Sequence, residues 1–133
     1  MKIDHIAIWC DDLERMREFY TTYFACVAND IYRNPSKGYS SYFLSFSAGS
    51  SRIELMHRTD IDPAPERRGY TKGWAHLSIC VGEREDVDKL VERLRGDGHR
   101  IVGNKTNGRR LLRGCSGGCG RQSCGDHSKQ INI

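Results

Sequence analysis

Along the first sixty or so positions the spacing of apolar residues shifts from strand-like to helical and back again. KIDHIAIWC (2–10) is short and rich in β-branched and aromatic residues, which predicts a strand. In LERMREFYTTYF (13–24), Leu13, Met16, Phe19, Tyr20 and Phe24 recur at helical spacing. Asp11 and Glu14 form a capping-box pattern at the start of that helix. Three extended segments follow: CVANDIY (26–32), YSSYFLSF (39–46) and SRIELMHR (51–58). Asn-Pro-Ser-Lys-Gly and Ala-Gly-Ser, both good turn formers, separate them. The first half therefore reads βαβββ.

A polar connector, TDIDPAPERRGYTKG (59–73), carries two prolines that oppose regular structure. The pattern then restarts. WAHLSICV (74–81) predicts a strand, and EREDVDKLVERLRGDG predicts a helix with Val87, Leu90, Val91 and Leu94 along one face. Gly96-Asp97-Gly98 ends it, and HRIVG (99–103) begins another strand. DHIAIWCDD (4–12) aligns with AHLSICVGE (75–83) at an offset of 71 residues, His on His. The fold class expected is α+β, built from paired βαβββ modules in one domain. Residues 1–58 are the first module, 59–73 the connector and 74–103 the start of the second. The remainder, 104–133, departs from the pattern. It has six glycines and only Leu111, Leu112, Ile131 and Ile133 as aliphatic residues, so no strand pair is expected there.

Charge follows the same division. Of the net charge of +4, the tail supplies +5 from Lys105, Arg109, Arg110, Arg113, Arg121 and Lys129 against Asp126. The body is near neutral, which gives no reason to expect nucleic acid as a partner. No run approaches the ~18 apolar residues a membrane helix needs. Acidic residues follow the first apolar stretch at once, unlike a signal peptide, so a cytoplasmic protein is expected. Cys10, Cys26 and Cys80 read as reduced, buried thiols, while Cys115, Cys119 and Cys124 crowd the tail.

The candidate chemistry lies in the strands. His5, Glu54 and His76 are ionisable residues flanked by apolar ones, so alternation turns each away from its neighbours. A divalent cation would offset the cost of holding a carboxylate beside imidazoles on an inward face. The plainer alternatives are hydrogen-bonded or exposed histidines and a solvent-facing Glu54. The repeat favours the first reading, because His5 and His76 occupy equivalent places in the two halves.

The βαβββ halves, the first-strand His5, the Arg-Ile-Glu-Leu strand and Gly-Trp-Ala-His-Leu-Ser-Ile together resemble the vicinal oxygen chelate superfamily. This is the glyoxalase, bleomycin resistance and dioxygenase group, and the likeness is greatest to its glyoxalase I-like members. The resemblance spans residues 1–103 and implies a cup around a divalent metal (Zn, Ni, Co or Mn). It implies His5, Glu54 and His76 as metal ligands, with a metal-adjacent carboxylate, Glu54 or the missing fourth Glu, moving the proton. It further implies a homodimer and a lyase or isomerase that passes a small oxygenated substrate through an enediolate. A non-catalytic drug-binding or resistance protein of the same fold is the alternative. The family's fourth ligand, a Glu in a terminal strand like Gly-Asn-Arg-Ile-Glu-Ile, has no counterpart, nor has the usual glutathione-linked connector pattern.

The genetic code offers a reason. Read one base later, codons compatible with the tail permit Thr-Gly-Asp-Gly-Tyr-Tyr-Glu-Ala-Val-Val-Glu-Asp-Val-Asp-Gly-Asn-Arg-Val-Glu-Ile-Thr. That is a strand pair with its turn, and its second strand carries a Glu at Gly125–Asp126. A one-base change of frame near residues 104–107 would account for the missing quarter. The rival reading is a zinc knuckle of Cys115, Cys119, Cys124 and His127, though its spacing matches no common finger.

Overall fold

The computed structural model of the chain describes residues 1–47, 51–63, 72–74, 76–101 and 131–132. They fall in two compact units, Met1–Pro63 and Ala64–Ile133.

The first unit follows the βαβββ order with one strand divided. Its elements are β1 (His5–Trp9), α1 (Leu13–Tyr23), β2 (Cys26–Ala28), β3 (Tyr32–Asn34), β4 (Tyr39–Phe46) and β5 (Arg52–His57). The sheet runs β1-β5-β4-β2, and β3 also pairs with β4. β1 lies parallel to β5, and the other pairings are antiparallel.

Alternation decides which side chains meet the helix. Tyr42, Leu44, Ile53 and Leu55 are buried, as are Leu13, Met16, Tyr20 and Phe24 of the helix and its C-cap. This apolar layer is the core of the unit, and burying each large side chain contributes about 1.5–3 kcal/mol. A polar clasp reinforces it at the surface. Tyr42 Oη donates to Glu14 Oε1 at 2.6 Å, and Arg17 Nε donates to Glu14 Oε2 at 2.9 Å. The opposite sheet face therefore carries His5 and Trp9 of β1, Arg52, Glu54 and Met56 of β5, and Tyr39 and Phe43 of β4.

Local differences from expectation have physical causes. The helix is capped by Asp12, not Asp11: its carboxylate accepts the Arg15 N–H at 2.9 Å. The single strand expected over 26–32 divides in two. At Asn29 the main-chain N–H donates to the Phe43 carbonyl, and the Asn29 side-chain oxygen accepts the Phe43 N–H at 2.7 Å. The side chain stands in for a main-chain acceptor there, and the ladder breaks. The Asn-Pro-Ser-Lys-Gly turn is a short 3-10 helix, Pro35–Lys37, closed by Gly38 at φ +57°.

The second unit contains β6 (Ser78–Ile79), α2 (Arg84–Gly96) and β7 (Ile131–Asn132). Val87, Val91 and Leu94 of the helix are buried, as their spacing requires, and Leu90 is half-buried. Asp86 Oδ2 accepts the Glu83 N–H at 3.0 Å and ties the first turn. At the other end Gly98, at φ +81°, lets His99 N–H reach the Leu94 carbonyl at 2.8 Å.

The strand expected over 74–81 contracts to β6, because a strand extends only as far as its ladder and β7 is two residues long. Of 99–103, Ile101 makes a single bridge, and 102 and 103 lie outside the described residues. The tail was expected to hold no strand, yet Ile131 and Asn132 pair antiparallel with Ile79 and Ser78. Cys10 and Cys26 are buried free thiols, whereas Cys80, just beyond β6, is exposed and corrects the expectation for it. Among the described residues no helix is long and apolar enough to cross a membrane.

Candidate metal centre

The parallel register of β1 and β5 sets Arg52 opposite His5 and Glu54 opposite Ala7, which puts His5 and Glu54 on one face. His5 Nε2 lies 3.8 Å from Glu54 Oε2, with the side chains 39% and 14% exposed. That is too long for a hydrogen bond. It is close to the separation of two ligands on a tetrahedral zinc, about 3.4 Å for bonds of ~2.1 Å.

The far atom of each group already has a partner. His5 Nδ1 stands 2.9 Å from Asp4 Oδ2, and Arg52 Nη2 donates to the same oxygen at 2.5 Å. The His5 hydrogen bond, then the Arg52 one, pull the Asp4 carboxyl down to about 2. Tyr39 Oη donates to Glu54 Oε1 at 2.7 Å. Burial, then the Glu54 hydrogen bond and charge, outweigh an opposing Ser41 hydrogen bond and raise the Tyr39 phenol above its ordinary range. Among the described residues one nitrogen and one oxygen are left without a hydrogen bond, and they face each other.

Aromatic rings wall this pair. Phe43 meets the His5 ring edge-on at 5.2 Å, and the Arg52 guanidinium lies 4.5 Å above Phe43. Tyr39 stands between Trp9, at 6.2 Å, and Tyr32, at 6.1 Å.

The structure thus brings together two of the three residues singled out from the sequence. His76 belongs to the second unit, is exposed, and precedes β6 instead of lying within a strand. Among the described residues no group of three or more His, Cys, Asp or Glu side chains converges as a metal site. The Gly125–Asp126 position and the cluster of Cys115, Cys119, Cys124 and His127 lie outside the described residues. Sequence reasoning missed Asp4, Tyr39, Phe43 and Arg52. Alternation alone could have placed Tyr39 and Phe43 together on one face of their strand, and Arg52 on the face of Glu54.

These features define a class. The chain matches the Glyoxalase/Bleomycin resistance protein/Dioxygenase superfamily over residues 2–113 and belongs to it. It is 36% identical over 98 residues to the uncharacterized protein YwkD of Bacillus subtilis (strain 168), covering 72% of this chain and 71% of that one. Among solved structures it resembles the trypanothione-dependent glyoxalase I of Leishmania major. The TM-score is 0.64 at 22% identity, covering 80% of this chain and 73% of that one. A glyoxylase/bleomycin resistance protein/dioxygenase domain from Frankia sp. EAN1pec gives a TM-score of 0.62 at 24% identity, covering 77% of each chain. At these identities the likeness is one of fold.

Proposed function

We propose that this protein is a metal-dependent lyase or isomerase of the glyoxalase type, acting on a small oxygenated substrate. The observation that carries the proposal is the facing pair His5 Nε2 and Glu54 Oε2, each with its other heteroatom held. Superfamily membership supports it, since metal-dependent enzymes use this fold.

His5 and Glu54 would hold the cation. When bound, a Zn, Ni, Co or Mn ion supplies Lewis-acid polarisation of neighbouring substrate oxygens. The chain's own residues do the rest. The Tyr39 hydrogen bond to Oε1 keeps the Glu54 carboxylate aimed across the face, and a carboxylate beside the cation, Glu54 or the family's fourth Glu, would move the proton. The protein acts as a homodimer in this reading, as the family resemblance implies.

Elemental analysis of the purified full chain tests the proposal directly. About one Zn, Ni, Co or Mn per chain supports it, together with loss of that metal in His5→Gln and Glu54→Gln. A chain that takes up no divalent metal yet binds small molecules refutes the enzyme and favours a binding protein.

A further inference from the structure

We propose that Asp4, braced by Arg52, is the positioning residue of this centre: it fixes His5 as the Nδ1–H tautomer and keeps the Nε2 lone pair turned toward Glu54. The proposal rests on the reading of His5 and Glu54 as cation ligands, but its first test needs no cation.

A neutral imidazole has one donor nitrogen and one acceptor nitrogen, and the partner of either decides which is which. An ionised carboxylate can only accept. Asp4 Oδ2 lies 2.9 Å from Nδ1, so the ring proton belongs there and Nε2 is left with its lone pair. That is the form a metal ligand needs.

The carboxylate is itself held from two sides. Arg52 Nη2 donates to the same Oδ2, and the Arg52 main-chain N–H donates to the Asp4 carbonyl at 2.9 Å. The guanidinium rests on Phe43, whose ring meets His5 edge-on. Asp4, His5, Phe43 and Arg52 thus close a ring of contacts. The register that sets His5 opposite Arg52 builds this ring. Packing is not what Asp4 provides: its side chain is 56% exposed, and an exposed ion pair adds little to stability.

The test is a long-range ¹H–¹⁵N correlation spectrum of the metal-free full chain, at a pH where His5 is neutral. His5→Gln identifies the signals. The wild type is expected to show the Nδ1–H form. Asp4→Ala is expected to move the ring to the Nε2–H form, and Asp4→Asn, whose amide oxygen still accepts, to restore Nδ1–H. In zinc titrations Asp4→Ala is expected to lose about 10–100-fold in affinity, and Asp4→Asn distinctly less. A wild-type ring in the Nε2–H form, or a tautomer unmoved by Asp4→Ala, overturns the proposal. A wild type that shows Nδ1–H and binds no zinc supports the tautomer assignment and overturns the metal reading instead.

Discussion

Tyr39 Oη donates a 2.7 Å hydrogen bond to Glu54 Oε1, reaching from β4 to the neighbouring strand β5. The bond occupies one carboxylate oxygen and leaves the other facing His5. Tyr39→Phe removes the bond and retains the ring. Its stability cost is expected to be about 1 kcal/mol, with metal affinity reduced ~10-fold because the carboxylate is free to turn. Paired thermal melts and zinc titrations check this. Unchanged affinity would remove Tyr39 from the site.

Asp4 should titrate far below an ordinary aspartate. Its carboxyl is held at about 2, against an ordinary 3.8, first by the His5 hydrogen bond and then by Arg52. A depressed acid stabilises the fold above its unfolded value, and that contribution is lost as pH falls from 3.8 through about 2. Carbon-detected NMR titration of the Asp4 carboxyl should therefore show a midpoint near 2, moving upward in His5→Gln. A midpoint near 3.8 in the wild type would mean the contact does not persist in solution.

How much of this was legible in the sequence depends on whether the signal is local. The extents of α1, β4 and β5 follow from spacing within each segment, and His5 and Glu54 stand out as ionisable residues among apolar ones. The Asp4–Arg52 contact joins residues 48 positions apart, and only the β1–β5 register creates it. Tyr39 was hidden differently, since a tyrosine in an aromatic strand reads as packing until its partner is known. The strand expected around His76 was overread because the apolar run 74–81 suits a strand, but pairing depends on a partner segment elsewhere.

The thiols should separate by reactivity. Burial pushes the Cys10 thiol up to about 11, and burial also raises Cys26, whereas Cys80 is exposed. Brief alkylation of the native chain at mildly alkaline pH, read by peptide mass, should label Cys80 well before Cys10 and Cys26. The raised thiol carries a second consequence. The unfolded chain ionises Cys10 first, so its contribution is intact below 9.0 and lost as pH climbs toward about 11. Cys10→Ser should flatten that alkaline loss. Labelling of Cys10 at the rate of Cys80 would contradict the burial.

Two core positions should respond in opposite ways. Leu55 is fully buried, and Leu55→Ala is expected to cost about 2–5 kcal/mol, lost contacts and cavity together. Tyr20 is equally buried, but among the described residues its hydroxyl has no hydrogen-bond partner. Tyr20→Phe relieves a desolvated oxygen and should be neutral or stabilising by up to about 1 kcal/mol. Urea denaturation of both variants checks the pair. Marked destabilisation by Tyr20→Phe would show that the hydroxyl is in fact satisfied.

The frame hypothesis for the tail makes the sharpest prediction. The superfamily match runs to residue 113, beyond the proposed frame change at 104–107. In the shifted reading Leu111 to Gly114 permit Tyr-Tyr-Glu, and Ser123 to His127 permit Arg-Val-Glu-Ile. Glycine- and arginine-rich codons shift easily to Gly, Asp, Glu, Ala and Val, so those matches count for little. The tyrosine pair, the Gly-Asn-Arg turn and the final Glu-Ile in register are less easily met by chance. A chain re-encoded from residue 104 in the shifted frame should therefore gain a carboxylate ligand. It is expected to bind zinc at least ~10-fold more tightly than the 133-residue chain, as a carboxylate added to an incomplete ligand set should. Intact mass of the natural protein provides the independent check: 15.2 kDa, matching the tail as it stands, is the outcome that rules out the shifted frame in the cell. Equal zinc affinity of the two chains would show that the Glu supplied by the shifted frame is no ligand.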